Sequence, residues 1–300
     1  MDKPIIKRYF SEDILESVKK DFKFLFDKII KSGFEYDLQI RDNYFNLYYK
    51  GNSLAKVMCK DIPKYKVHIN TIFFEHKDNH VRNDPRFEGK ITTVGDYVCL
   101  TITYELLHPL FQGKYLKYFS SKIKERQFQE EIAFEQMLIT DNMDNQNNRD
   151  LIIVDRQVMD RASATKMDLL ALRHKIGNDY QFCVIEVKLG NNPELRGDVI
   201  DQLKGYIDRI SDNFDDYKEC YKKNIEQKQD LTGHDADGKA KSLLEKSMEI
   251  NIVPDVSGIV IVGGYSGIAK KHFEKLKEKA PNNIKILHLK NEIDFSKAIN

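Results

Sequence analysis

The chain has 300 residues, 41% hydrophobic and 32% charged, ordinary proportions for a globular protein that exclude wholesale disorder and leave room for one large or two medium domains. Forty-eight Lys and Arg against 47 Asp and Glu give a formal charge of +1, so composition alone argues neither for nor against a polyanionic partner. The N-terminus has no apolar core of signal-peptide length, and the longest apolar run, Gly258 to Gly264, is too short to cross a bilayer, so a cytoplasmic protein with no membrane partner is expected.

Ser11, followed by Glu12 and Asp13, opens a segment in which Ile14, Leu15, Val18, Phe22, Leu25, Phe26 and Ile29 recur at helical spacing. One amphipathic helix over 11–32, ending at Gly33, is predicted. Strand-like runs at 36–40, 44–49 and 54–58 follow, separated by the turn residues Asp42-Asn43 and Lys50-Gly51-Asn52, which is the pattern of an antiparallel meander. Segments 66–74 and 97–104 extend it around a polar loop at 76–90. Residues 1–119 are expected to form a small α+β domain that contacts DNA or a protein partner. Tyr44, Phe45, Tyr48 and Tyr49 on such a sheet could stack on bases, although sheet core is the commoner fate of such residues. Residues 1–120 hold 20 basic against 16 acidic residues, leaving 28 against 31 for the rest, a mild asymmetry.

From 120 a helix runs to about 138, then a polar loop at 141–150 and a strand at 151–155. Two further strands at 166–172 and 182–188 precede a helix at 198–221 and a polar stretch at 222–249 that reads as an insertion. A strand at 257–262, a helix at 266–280 and a strand at 284–289 close the chain. The order αβββαβαβ predicts an α/β domain over 120–300. No internal repeat is present, and the four cysteines lack CxxC spacing, which favours free thiols over disulfides or zinc.

Three charged residues interrupt stretches that otherwise read as buried strand. In 182–188, Phe182, Val184, Glu186 and Lys188 share one face, so a carboxylate sits beside an ammonium among apolar side chains. Asp168 adds a second carboxylate on a neighbouring strand. Unpartnered burial of such groups costs several kcal/mol, so a cation between the two carboxylates is expected. Magnesium suits them, since it prefers oxygen ligands and accepts substrate phosphates into its shell. Lys188 would then stand near an attacking water or the charge of a phosphodiester transition state.

The runs Met167-Asp168-Leu-Leu-Ala-Leu172, Val184-Ile-Glu186-Val-Lys188-Leu-Gly190 and Gln202-Leu-Lys-Gly-Tyr206 resemble the PD-(D/E)xK nuclease superfamily, with Met167 in the place of the motif's proline. The resemblance covers residues 121 to 300. It implies a restriction-endonuclease-like core, αβββαβ with an appended αβ, and a nuclease dependent on Mg²⁺, with Mn²⁺ able to substitute. DNA is the implied substrate ahead of RNA, and an endonuclease the implied type. It further implies a carboxylate from the first helix, for which Glu135 is the first choice, with Glu131 at the edge of the same face and Glu130 nearby. Gln202 and Tyr206, one helical turn apart, take secondary roles in positioning Lys188, a water or the phosphate.

Other candidates carry less. His76 and His80 form one pair without a third zinc ligand, Asp235-Ala-Asp-Gly238 lacks the remaining ligands of a calcium loop, and Gly263-Gly-Tyr-Ser-Gly267 lacks the phosphate-loop pattern and reads as a tight turn. The competing expectation is a catalytically silent nuclease-fold module that binds nucleic acid or protein. A homodimer would suit a cut across both strands, but no residue demands one.

Overall fold

The structure, a computed structural model, describes residues 4–33, 35–74, 81–126, 129–144, 150–161, 165–232 and 250–289. Among the described residues it is a mixed α/β chain with two sheets, and it divides into two compact units: residues 1–152, 160–162 and 215–250, and residues 153–159, 163–214 and 251–300. The sequence pattern places the boundary at 119/120, whereas in the folded chain 120–152 and 215–250 group with the first unit. Among the described residues no helix is long and apolar enough to cross a membrane. His76, His80 and Asp235 to Gly238 lie outside the described residues.

In the first unit, α1 (Glu12–Asp21) and α2 (Lys23–Lys31) replace the single predicted helix. The break falls at Phe22, whose buried ring meets Phe45 and Tyr65 edge-on, so tertiary packing re-aims the chain inside one continuous apolar stripe. The strands β1 (Tyr36–Arg41), β2 (Tyr44–Tyr49), β3 (Asn52–Met58) and β4 (Lys64–Asn70) form the expected meander. β4 stops short of 74 because the Asn70 side chain accepts the Ile72 N–H at 2.9 Å and starts the short helix α3 (Thr71–Phe74). Next come β5 (Ile91–Val94), β6 (Tyr97–Thr103) and α4 (Tyr104–Phe111), of which β5 and α4 have no clear periodicity in the sequence. The antiparallel sheet has the order β1-β2-β3-β4-β6-β5. Ile40, Phe45, Val57, Val67 and Leu100 face one another across five strands and join Val18, Phe22, Phe111 and Phe119 in the core. The helix predicted at 120–138 is instead two, α5 (Gly113–Arg126) and α6 (Glu130–Asp144).

The five-stranded sheet runs β11-β10-β9-β8-β7. It comprises β7 (Leu151–Val158), β8 (Met167–His174) and β9 (Asp179–Leu189), then, after α7 (Asp198–Asp212) and α8 (Phe214–Thr232), β10 (Asn251–Gly263), α9 (Ser266–Lys279) and β11 (Ile284–Leu289). β8 and β9 are antiparallel, while β10 runs parallel to both β9 and β11. The helix predicted over 198–221 is interrupted at Asn213, whose side-chain amide caps the Arg209 carbonyl at 2.9 Å. α8 then continues eleven residues past the predicted end, to Thr232, and groups with the first unit. The glycine-rich segment before α9 is a tight turn, with Gly264 at φ 63° and Tyr265 at φ 44°. All four cysteines are free thiols.

Candidate active site

β9 is buried along nearly its whole length, as befits a central strand covered on both faces. Its backbone pairing with β8 ends at Leu169 opposite Ile185, and one further step in that register sets Asp168 opposite Glu186. There the carboxylates take over from the ladder: Asp168 Oδ2 accepts the Val187 N–H at 3.0 Å, and Glu186 Oε1 accepts the Asp168 N–H at 3.4 Å. These bonds orient both side chains from the backbone of the opposite strand. On the other side of β9, Val184, Glu186 and Lys188 lie beside Gly258, Val260 and Val262 of β10. A Cβ at Gly258 would come within 2.8–3.0 Å of Leu203 and Ile207, so the glycine lets α7 close directly onto the face that carries Glu186 and Lys188.

Like charges directly opposite on neighbouring strands repel, and burial makes the repulsion worse. Glu186 is 0% exposed, and its carboxyl is pushed up to about 8, first by burial and then by Asp168, with Lys188 opposing both. The Lys188 ammonium, 6% exposed, is the local counter-charge. Its Nζ lies 3.1 Å from Glu186 Oε2, 3.3 Å from Glu194 Oε2 and 3.6 Å from Asp168 Oδ2. Three carboxylates around one ammonium leave a formal charge of −2 when all are ionised. Glu186 Oε2 is at ion-pair distance from Lys188 but lacks hydrogen-bond geometry, which leaves a buried oxygen short of a donor.

The structure therefore brings Asp168, Glu186 and Lys188 together, and it adds Glu194. In the sequence Pro193 reads only as the end of the strand. Asn192 caps a 3-10 turn, Pro193–Arg196, by accepting the Glu194 N–H at 3.0 Å, and that turn delivers Glu194 to Lys188. The Asn-Pro-Glu sequence just past the strand is the signal that could have found it. Gln202 and Tyr206 lie one turn apart on α7. Gln202 Nε2 donates to the Tyr206 hydroxyl at 3.0 Å, and that hydroxyl donates to the Lys166 carbonyl at 2.9 Å. They thus tie α7 to the residue just before β8, two positions from Asp168. Burial, opposed by Thr165 and Gln202 and aided by the charges of Glu186 and Asp168, raises the Tyr206 phenol above its ordinary range and keeps it a donor. Of the three glutamates on α6, Glu135 is buried at 3% exposed, Glu131 half-buried and Glu130 exposed, and all three belong to the first unit.

The donor set suits a hard divalent cation. It is all oxygen, and Glu186 Oε2 is buried with the Lys188 ammonium at 3.1 Å and no bond of hydrogen-bond geometry. Among the described residues no three His, Cys, Asp or Glu side chains group so that they could hold a metal ion. Magnesium characteristically takes one or two carboxylates and fills its shell with water and phosphate oxygens, so the Asp168–Glu186 pair is a fitting partial shell. No protein-family model, curated protein or solved structure matches the chain.

Proposed function

We propose that the chain is a Mg²⁺-dependent nuclease of the PD-(D/E)xK type that hydrolyses phosphodiester bonds, with DNA as the preferred substrate and a restriction-endonuclease-like core in its C-terminal part. The observation that carries the reading is the cross-strand pair Asp168 and Glu186 with Lys188 Nζ held 3.1–3.6 Å from both. Within the second unit the order β7-β8-β9-α7-β10, with α9-β11 appended, supports the same reading. Bound Mg²⁺ supplies a Lewis acid for the phosphate and lowers the pKa of water. Asp168 and Glu186 hold the cation, each already oriented by an N–H of the opposite strand. Lys188 donates to the attacking water or to a non-bridging phosphate oxygen, where its positive charge offsets the charge that builds in the transition state. Glu194 keeps Lys188 aligned, and Gln202 and Tyr206 fix the start of β8 and with it Asp168. Every residue given a role here lies in the second unit.

The test incubates the purified chain and its Glu186→Ala variant with linear, circular and single-stranded DNA and with RNA, in Mg²⁺, Mn²⁺ or EDTA. Cleavage that needs metal and disappears in the variant is expected, and circular DNA cut as readily as linear would mark an endonuclease. Cleavage that survives in Glu186→Ala or in EDTA would overturn the assignment. No cleavage of any substrate would leave the silent binding module.

A further inference from the structure

The sheet of the first unit buries one face and leaves much of the other open. Along the open face, Asn46, Lys56, His68, Cys99 and Thr92 form one row across β2, β3, β4, β6 and β5, and Tyr44, Met58, Lys66 and Thr101 form the next. α8 covers the β1 end, where Lys228 Nζ donates to Gln39 Oε1 at 2.6 Å. Beyond it, Lys64, Lys66, Thr101 and Tyr97 are exposed, and Lys56 and His68 half-buried. Open antiparallel faces are normally polar, so exposure alone means little. The distribution of charge is what distinguishes this one.

Strands β3, β4, β5 and β6 carry Lys56, Lys64, Lys66 and His68 and not one Asp or Glu. Elsewhere the chain is nearly balanced in charge, and cross-strand lysines in a solvated sheet are ordinarily interleaved with carboxylates. Here the nearest carboxylate partner is Asp61, in the β3–β4 turn, 2.8 Å from Lys66. Among the described residues Lys56 and Lys64 form no salt bridge, and the Lys56 ammonium instead sits 4.2 Å over the Tyr44 ring. The cations feel one another. Burial, and then Lys56 and Lys66, lower the His68 imidazole, and burial, and then Lys60, lower the Lys56 ammonium. Tyr97, 49% exposed, presents an aromatic ring on the same sheet.

We infer that this face of β3, β4, β5 and β6 binds a single strand of nucleic acid, with Lys56, Lys64 and Lys66 on its phosphates and Tyr97 stacked on a base. Cationic side chains complement the polyanion, and an aromatic on an open sheet offers a base the π-face that a duplex keeps stacked inside itself. The choice of nucleic acid among polyanions rests on the nuclease reading, whereas the cationic face does not.

The test measures fluorescence anisotropy of a labelled 20-mer of thymidine, and of a duplex of the same length, with the full chain in EDTA so that binding is read without cleavage. The wild type is expected to bind the single strand more tightly than the duplex. The triple variant Lys56→Gln, Lys64→Gln, Lys66→Gln should lower the log–log salt slope by about 2 and weaken binding roughly 100-fold at 0.1 M salt. Tyr97→Ala should weaken binding by about fivefold or more. Arginine at all three lysine positions should retain binding, which separates loss of charge from loss of fold. Wild-type affinity and slope in the glutamine triple variant, or no binding by the wild type, would overturn the inference. Duplex bound as tightly as single strand, or an unchanged Tyr97→Ala, would overturn its single-strand form. A chain that binds through this face yet cuts nothing would sink the nuclease reading alone, and a chain that cuts while the triple variant binds normally would sink this one alone.

Discussion

Glu186→Gln removes a buried ionisable carboxyl and keeps the side-chain shape, so its effect on stability should depend on pH in a way set by the wild-type carboxyl. That carboxyl is raised from an ordinary 4.5 to about 8 by burial and by Asp168. In the folded protein it holds its proton over a range in which the unfolded chain has lost it. Its contribution to stability is fully present below about 4.5 and is lost as pH rises to about 8. The slope is at most ~1.4 kcal/mol per pH unit, so between pH 5 and pH 8 the wild type should lose up to roughly 4 kcal/mol relative to the glutamine variant. Structural relaxation around Lys188 will reduce that figure, and half of it is still a shift of several degrees in Tm for a chain of this size. The assay is urea unfolding of both proteins in EDTA at pH 5, 6, 7 and 8, followed by the same series in Mg²⁺. The stability difference should grow with pH in EDTA, and Mg²⁺ should restore the wild type at pH 8 while leaving Glu186→Gln unchanged. Parallel pH profiles in EDTA would refute the claim that Glu186 is a strained, charge-repelled carboxyl, and equal stabilisation of both proteins by Mg²⁺ would refute its role as a ligand.

Asp168→Ala should abolish metal-dependent cleavage and, by leaving the Val187 N–H without its acceptor, cost about 1–2 kcal/mol in denaturant unfolding, and a variant with full cleavage would remove Asp168 from the site. Tyr206→Phe deletes the hydroxyl that bonds the Lys166 carbonyl and accepts from Gln202. It should cost about 1 kcal/mol and lower kcat while Mg²⁺ affinity by calorimetry stays within a few-fold, and unchanged kcat would reduce Tyr206 to packing. Gly258→Val would drive a side chain into Leu203 and Ile207 and should destabilise the chain by about 1–3 kcal/mol, read as a lower urea midpoint; a neutral result would mean that α7 does not rest on β10 as described.

Much of the site was legible because a charged residue in an apolar strand stands out against a period of two. Phe182, Val184, Glu186 and Lys188 had to share one face of any strand they formed, and the rarity of unpaired burial made Asp168 and Glu186 a pair worth joining. The meander of β1 to β3 was equally clear, since its turns at Asp42-Asn43 and Lys50-Gly51-Asn52 are local chemistry. Helix breaks were not. Phe22 and the stretch around Asn213 fit their helical stripes, and only packing against distant residues, Phe45 and Tyr65 for Phe22, decides that the chain turns there. Nor does any local pattern say that α8 groups with the first unit, where its Asn224 and Gln227 side chains bond the backbone of Arg8 and Phe10 more than two hundred residues away.

The lysine shows the division most clearly. Its alternation with Glu186 is a property of the covalent chain and was available from the residues alone. Its three carboxylate partners are a property of strand register and of a capped turn after Pro193, which place Asp168 and Glu194 around one Nζ. Periodicity is enforced by local sterics over a few residues, whereas the choice of a charge's partners is made by desolvation, which exists only once the strands have closed around it.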